Sequence, residues 1–195
     1  MTQQVPSVPV NTSASGSKQT TASDSGFSKK GQSVDVSSSQ IVYGDGDTAK
    51  IPDPSNPGKY LTVRLPWDSP ETKHTRTSKI TGLDYTQPGQ DYGDESAKAF
   101  RELLKDKKVT LVNRGTEGNN RTLVSVLVDG KDLGLEMVRN GHAWSYSKYN
   151  PQHMSVEEQQ AYKEAQTQAM KEQLGLWRTP SPEYPELFRR KLRND

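Results

Sequence analysis

Two acidic clusters, Asp45-Gly46-Asp47-Thr48 and Asp68-Ser69-Pro70-Glu71, lie on either side of a stretch that carries Arg64, and Arg121 follows later in the chain. Carboxylates at two turns can hold a hard divalent cation through their oxygens. Two planar guanidinium groups can grip a phosphate with paired hydrogen bonds. Phosphodiester hydrolysis passes through a transition state with extra charge on the equatorial oxygens, where a cation and guanidinium groups are most effective. The set therefore reads as the parts for metal-assisted phosphodiester cleavage. Each part also has a plainer reading. Asp45 and Asp47 could simply shape a turn, as Asp does well, and a lone arginine on a strand is ordinarily solvated.

The elements that must position these residues follow from pattern. Gln40–Tyr43 reads as a strand, Gly44-Asp45-Gly46 as a tight turn and Asp47–Ile51 as the returning strand. Leu61–Leu65 alternates as a third strand that Pro66 should end. A polar, turn-rich loop spans Glu71 to Tyr92. Ser96–Lys107 places Ala97, Phe100, Leu103 and Leu104 on one helical face. Val109–Asn113 and Thr122–Val128 are predicted strands, with an Asp129-Gly130 turn after the second. Leu133–Asn140 reads as a short helix stopped by Gly141. A longer helix runs from Val156 to Leu174, opened by a Ser155/Glu158 capping box and lined by Ala161, Ala165 and Ala169. Five short antiparallel strands with an inserted helix predict an α+β fold: a five-stranded OB-type Greek-key barrel with about three helices.

Composition sets the outer limits. Hydrophobic residues make up 30% of the 195, low for a chain folded throughout. Residues 1–38 are rich in Ser, Thr, Gln, Gly and Val and cannot bury enough surface to offset their ordering entropy, so a disordered tail is expected there. The folded domain is then 39–178, and 179–195 is a Pro-rich, basic extension. The net charge of +2 is compatible with a polyanionic partner without requiring one. Absence of cysteine rules out a disulfide framework and thiolate chemistry. The three histidines, His74, His142 and His153, lack metal-ligand spacing and read as surface residues. No run reaches the roughly 18 apolar residues of a membrane span, and the N-terminus has neither the cationic start nor the apolar stretch of a signal peptide. A cytoplasmic protein is the default expectation; non-classical export and packaging in a larger particle stay open.

A resemblance gathers these pieces. Asp45-Gly46-Asp47-Thr48, Val63-Arg64-Leu65, Asp68-Ser69-Pro70-Glu71-Thr72-Lys73-His74, Tyr92-Gly93, Arg121, Asp129-Gly130-Lys131, Val138-Arg139-Asn140-Gly141 and Leu174-Gly175-Leu176-Trp177 fall in order between Gln40 and Trp177. In this the chain resembles the staphylococcal-nuclease-like (thermonuclease) family of calcium-dependent nucleases. The resemblance implies one Ca²⁺ held by Asp47, Asp68 and the Ser69 carbonyl, with Asp45 acting through water. It implies Arg64 and Arg121 as catalytic arginines and Glu71 as general base. Tyr149 falls at the position of a substrate-contacting tyrosine, with Tyr146 close to a second, and Trp177 would pack the last helix onto the barrel.

The interval from Arg64 to Asp68 is one residue shorter than the family usually has. A one-residue loss inside a strand would turn side chains to the other face; Pro66 suggests that the shortening falls at the strand exit, which would keep Arg64's direction. The implied activity is a Ca²⁺-dependent endonuclease on DNA, of low sequence specificity, leaving 3′-phosphate ends, with RNA left open as a second substrate. It would act as a monomer with no membrane and no obligate protein partner. Two other readings stand beside it: a catalytically impaired nucleic-acid-binding OB module, and a structural component of a larger assembly tethered by the N-terminal tail.

Overall fold

Alternation of apolar and polar residues builds most of the sheet, and glycines and prolines divide it. The computed structural model describes residues 27–44, 47–78, 80–117, 121–146 and 150–194. Strand β1 (Ser33–Ser37) leads through one 3₁₀ turn to β2 (Val42–Tyr43), β3 (Thr48–Pro52) and β4 (Tyr60–Arg64). The short strand β5 (Trp67–Asp68) follows Pro66, and the hairpin β6 (His74–Thr77) and β7 (Asp84–Gln87) precedes helix α1 (Gly93–Leu104). Next come β8 (Lys108–Thr116), β9 (Thr122–Val128), β10 (Lys131–Asp132), α2 (Leu133–Arg139) and β11 (Trp144–Ser145). The chain ends in α3 (Asn150–His153), α4 (Val156–Lys171) and α5 (Pro185–Asn194).

The main sheet has the order β1-β8-β9-β4-β3-β2, with β10 paired to β9. Its one parallel pair joins β4 to β9, Val63 opposite Thr122 and Arg64 opposite Leu123. The fold is α+β, a strand-rich sheet with helices packed on a core that includes Val63, Leu65, Trp67, Phe100, Leu111 and Met137. Among the described residues no helix is long and apolar enough to cross a membrane.

Local chemistry explains the helices. Asp94 and Glu95 face the positive end of α1. The Asp132 carboxylate caps α2, accepting from the Gly134 and Leu135 amides at 2.8 and 3.3 Å and from the Tyr162 hydroxyl at 3.0 Å. Burial raises the pKa of Asp132 despite those donors. The predicted capping box forms, with Ser155 N donating to Glu158 Oε2 at 2.8 Å and Glu158 N to Ser155 Oγ at 3.2 Å. Ala165 and Ala169 are buried on α4, while Trp177 is half-buried, edge-on to Trp144 at 5.9 Å.

Several expectations need correction. The tail predicted over 1–38 gives way to structure before residue 38: β1 pairs with β8 from Ser33 opposite Val112 to Ser37 opposite Lys108, and Phe27 and Val36 join the core. Alternating Val34 and Val36 supply an apolar face, and the edge of β8 supplies backbone partners. Residues 1–26 lie outside the described residues. The loop from Glu71 to Tyr92 holds the β6–β7 hairpin, and the C-terminal extension holds α5. His142 and His153 are packed, against the Tyr92 hydroxyl and the Arg114 carbonyl respectively, each at 2.9 Å.

Candidate active site

Arg64 is the centre of the arrangement. Strand β3 pairs Thr48 opposite Arg64, so Asp47 stands one residue beyond the ladder, at its open end. Its carbonyl accepts from the Leu65 amide at 2.8 Å and from Arg64 Nη1 at 3.4 Å. Arg64 Nη1 forms an ion pair with Asp47 Oδ1, and Nη2 forms one with Asp68 Oδ1. Arg64, Asp47 and Asp68 are 5%, 5% and 1% exposed, so water screens these charges little. The guanidinium also lies 4.9 Å above the Tyr146 ring, a cation–π contact.

The short Arg64-to-Asp68 interval is accommodated at Pro66. Strand β4 ends at Arg64, the chain leaves the main sheet, and β5 joins a separate ladder with β11, Asp68 opposite Trp144. Alternation is therefore not carried across the gap, and Arg64 and Asp68 face each other. Ser69 is buried directly after Asp68.

Glu71, 2% exposed, is fixed through its backbone. Gln90 clasps it twice: the Glu71 amide donates to Gln90 Oε1 at 3.1 Å, and the Gln90 amide donates to the Glu71 carbonyl at 2.8 Å. Gly93 is needed here, because a Cβ at that position would run into the Glu71 carbonyl group. The Glu71 side chain is engaged from the far end of the chain, where Arg189 Nη1 pairs with Oε1. Close by in sequence, the Tyr184 hydroxyl donates to Asp68 Oδ2. Burial first, then the Asp68 charge, pushes the Tyr184 pKa far above the usual phenol range, so the hydroxyl remains a donor. Its ring meets Trp144 edge-on at 5.7 Å. Sequence reasoning missed both contacts, having read 179–195 as an extension. The one available signal was helical: the run Pro185-Glu186-Leu187-Phe188-Arg189-Arg190-Lys191-Leu192 can start a helix with Pro and sets Phe188 and Leu192 four apart on one helical face.

Arg121 stands one strand away. It precedes β9, two residues ahead of Leu123, the register partner of Arg64, and alternation puts it on Arg64's side of the sheet. Its guanidinium is held by Glu117 Oε1, at 2.7 Å from Nε and 2.6 Å from Nη2, with 37% of the side chain exposed. Glu117 is another residue that sequence reading missed. The structure thus brings Asp47, Arg64 and Asp68 into contact, puts Glu71 under Arg189, and leaves Arg121 on its own carboxylate. Tyr146, 8% exposed, carries the Arg64 guanidinium over its ring face. Asp45 and Tyr149 lie outside the described residues.

Among the described residues no group of three or more His, Cys, Asp or Glu is gathered. The donor set still suits a hard cation. Two buried carboxylates meet one guanidinium, leaving one negative charge over, and Asp47 Oδ2 is buried without a hydrogen-bond partner. An unsatisfied buried carboxylate oxygen is the kind of group that oxygen-seeking ions bind.

Comparison with known proteins identifies the family. The chain belongs to the staphylococcal nuclease homologue family, which matches residues 62–179, more than half of its length. It is 31% identical over 121 residues to an uncharacterized endonuclease of Haemophilus influenzae, an alignment spanning 61% of this chain and 64% of that protein. It is 28% identical over 146 residues to an uncharacterized endonuclease of Escherichia coli, spanning 74% of this chain and 79% of that one. A probable staphylococcal-like nuclease of Oryza sativa, CAN4, is 27% identical over 115 residues, 59% of this chain but 22% of the rice protein. The family match includes Arg64, Asp68, Glu71 and Arg121; Asp47, Tyr184 and Arg189 lie outside it.

Proposed function

We propose that this protein is an endonuclease that hydrolyses phosphodiester bonds in DNA, and in RNA as well, with low sequence specificity, using one Ca²⁺ and leaving 3′-phosphate ends. The observation that carries the reading is the buried Asp47–Arg64–Asp68 cluster with its unpartnered Asp47 oxygen, in a chain of this family. Asp47, Asp68 and the Ser69 carbonyl would hold the cation, with Asp45 acting through water. When bound, the ion supplies positive charge to the phosphate and lowers the cost of building charge on its oxygens.

The chain's own groups do the rest. Glu71 accepts a proton from the attacking water as its oxygen bonds to phosphorus. The bond to the 5′ oxygen breaks with its electron pair going to that oxygen, which takes a proton from solvent water to leave as a hydroxyl, and the phosphate stays on the 3′ side. Arg64, held in place by Tyr146 and two aspartates, and Arg121, which must exchange Glu117 for phosphate, bond the equatorial oxygens. We further take the five long strands as an OB-type Greek-key barrel, supported by the parallel β4–β9 pairing. The domain would run from residue 27 to 178, with α5 on a separate C-terminal extension.

Plasmid DNA incubated with the full-length protein in Ca²⁺ or in EDTA tests the assignment. Nicking and linearisation in Ca²⁺ only, with fragment ends that accept a 3′ label only after phosphatase treatment, is the expected result. EDTA-insensitive binding without nicking would instead establish the nucleic-acid-binding module.

A further inference from the structure

The C-terminal segment has contacts that the proposed chemistry does not use and that oppose it. Asp68 has both carboxylate oxygens engaged, Oδ1 by Arg64 and Oδ2 by Tyr184. A cation approaching Asp68 competes with these two donors for the carboxylate's charge. Glu71 Oε1 is held by Arg189, so that oxygen is closed to an attacking water while the ion pair lasts. Two side chains from one segment thus cover the proposed ligand and the proposed base. That segment begins after the family match ends at residue 179.

The way the segment is held suits release. Gln90, which clasps the Glu71 backbone, also donates from Nε2 to the Glu183 carbonyl, tying the segment to the site loop. A cavity of about 270 Å³ remains between Trp144, Tyr92, Leu176 and Phe188, so packing beneath the segment is incomplete. Pro185 is its one buried residue within 185–193, and Leu187 is 49% exposed. An element held by ion pairs and hydrogen bonds, with little apolar burial, opens at low free-energy cost. Helix α5 also carries Arg189, Arg190, Lys191 and Arg193 within one and a half turns, a charge density that phosphates compete for.

We propose that residues 183–194 form an autoinhibitory latch: Tyr184 and Arg189 hold Asp68 and Glu71 in a closed site, and a cation at Asp68 together with nucleic-acid phosphate at Arg189 releases it. This rests on the roles proposed above for Asp68 and Glu71.

The test uses the full-length chain with Tyr184→Phe, which keeps the ring on Trp144 and removes only the hydroxyl, and with Arg189→Gln. Calorimetric titration with Ca²⁺ alone reads the first contact. Tyr184→Phe should bind Ca²⁺ roughly tenfold more tightly than the parent, the scale of losing one competing hydrogen bond to a charged group. Initial rates on plasmid DNA read the second, and Arg189→Gln should be several-fold faster at limiting substrate. Tryptic cleavage after Arg190 and Lys191 in the parent should accelerate when Ca²⁺ and a short oligonucleotide are both present. Unchanged or weaker Ca²⁺ binding in Tyr184→Phe, with slower cleavage by Arg189→Gln, overturns the latch and makes α5 part of the working site. Tighter Ca²⁺ binding with no cleavage by any variant keeps the latch and sinks the nuclease assignment, so the two failures are distinguishable.

Discussion

Replacing Arg64 by Met should uncouple fold stability from the cation in a measurable way. Met is similar in length and fills much of the same space, so the change removes charge with little loss of packing. What remains are Asp47 and Asp68, 5% and 1% exposed, facing each other without the guanidinium that bridged them. Breaking a buried ion pair by removing one partner costs about 3–5 kcal/mol; the gain from burying Met brings the expected net loss to about 3 kcal/mol. For a chain of this size each kcal/mol moves Tm by roughly 2–4 °C, so the variant should melt about 6–12 °C lower in EDTA. Ca²⁺ at a hundred times its dissociation constant returns about 2.7 kcal/mol. The variant should gain more from Ca²⁺ than the parent does, because no internal cation competes for the two carboxylates. Circular dichroism melts of both proteins in EDTA and in Ca²⁺ measure this. Equal melting temperatures in EDTA, or a Ca²⁺ shift no larger than the parent's, would refute the claim that Arg64 occupies a place where a metal ion competes.

Glu71→Gln and Arg121→Ala should each reduce plasmid cleavage by roughly 10²–10³-fold, with circular dichroism spectra and melts close to the parent's; retention of near-full activity would remove either residue from its role. Gly134→Ala should destabilise by about 2 kcal/mol in urea titrations, since a Cβ there meets the Tyr162 hydroxyl and the Trp67 ring; an unchanged midpoint would show that α2 can shift. Burial lowers the pKa of His142, so the unfolded chain binds its proton more readily than the folded one. Its contribution is present above the ordinary value of 6.5 and is lost as pH falls through the lowered folded value. Urea midpoints should therefore drop below pH 6.5 in the parent and drop less in His142→Gln; parallel pH profiles would count against this.

What was legible in the chain was local. Ser155 and Glu158 form their capping box because both partners lie within one helical turn. Strands β3, β4 and β9 emerge near their predicted positions because each has alternation of its own. The convergence of Asp47, Arg64 and Asp68 was reached through family resemblance, and the register that permits it depends on Pro66 in a way that spacing alone left open. Apart from Glu117, four residues from Arg121, the misses are contacts across the chain. β1 has few apolar residues and becomes a strand because the edge of β8 accepts it. Tyr184 reaches Asp68 across 116 positions, and Arg189 reaches Glu71 across 118, separations that no sequence period encodes.

The charges of the closed site connect its two proposed features. Asp47, Asp68 and Glu71 meet Arg64 and Arg189, three carboxylates against two guanidinium groups. Lifting α5 takes Arg189 away, which doubles the uncompensated negative charge and frees Asp68 Oδ2 of its hydroxyl donor. A cation therefore binds the open state more tightly than the closed one, and by linkage it must favour opening by the same factor. Phosphate acts in the same direction at Arg189, because a guanidinium bonded to substrate is not bonded to Glu71. Beyond the direct attraction between ion and phosphate, cation and nucleic acid would each favour the other's binding through the position of one short helix. That added cooperativity should vanish when Tyr184 and Arg189 are both replaced, even though neither replacement removes a ligand of the cation or one of the two proposed catalytic arginines.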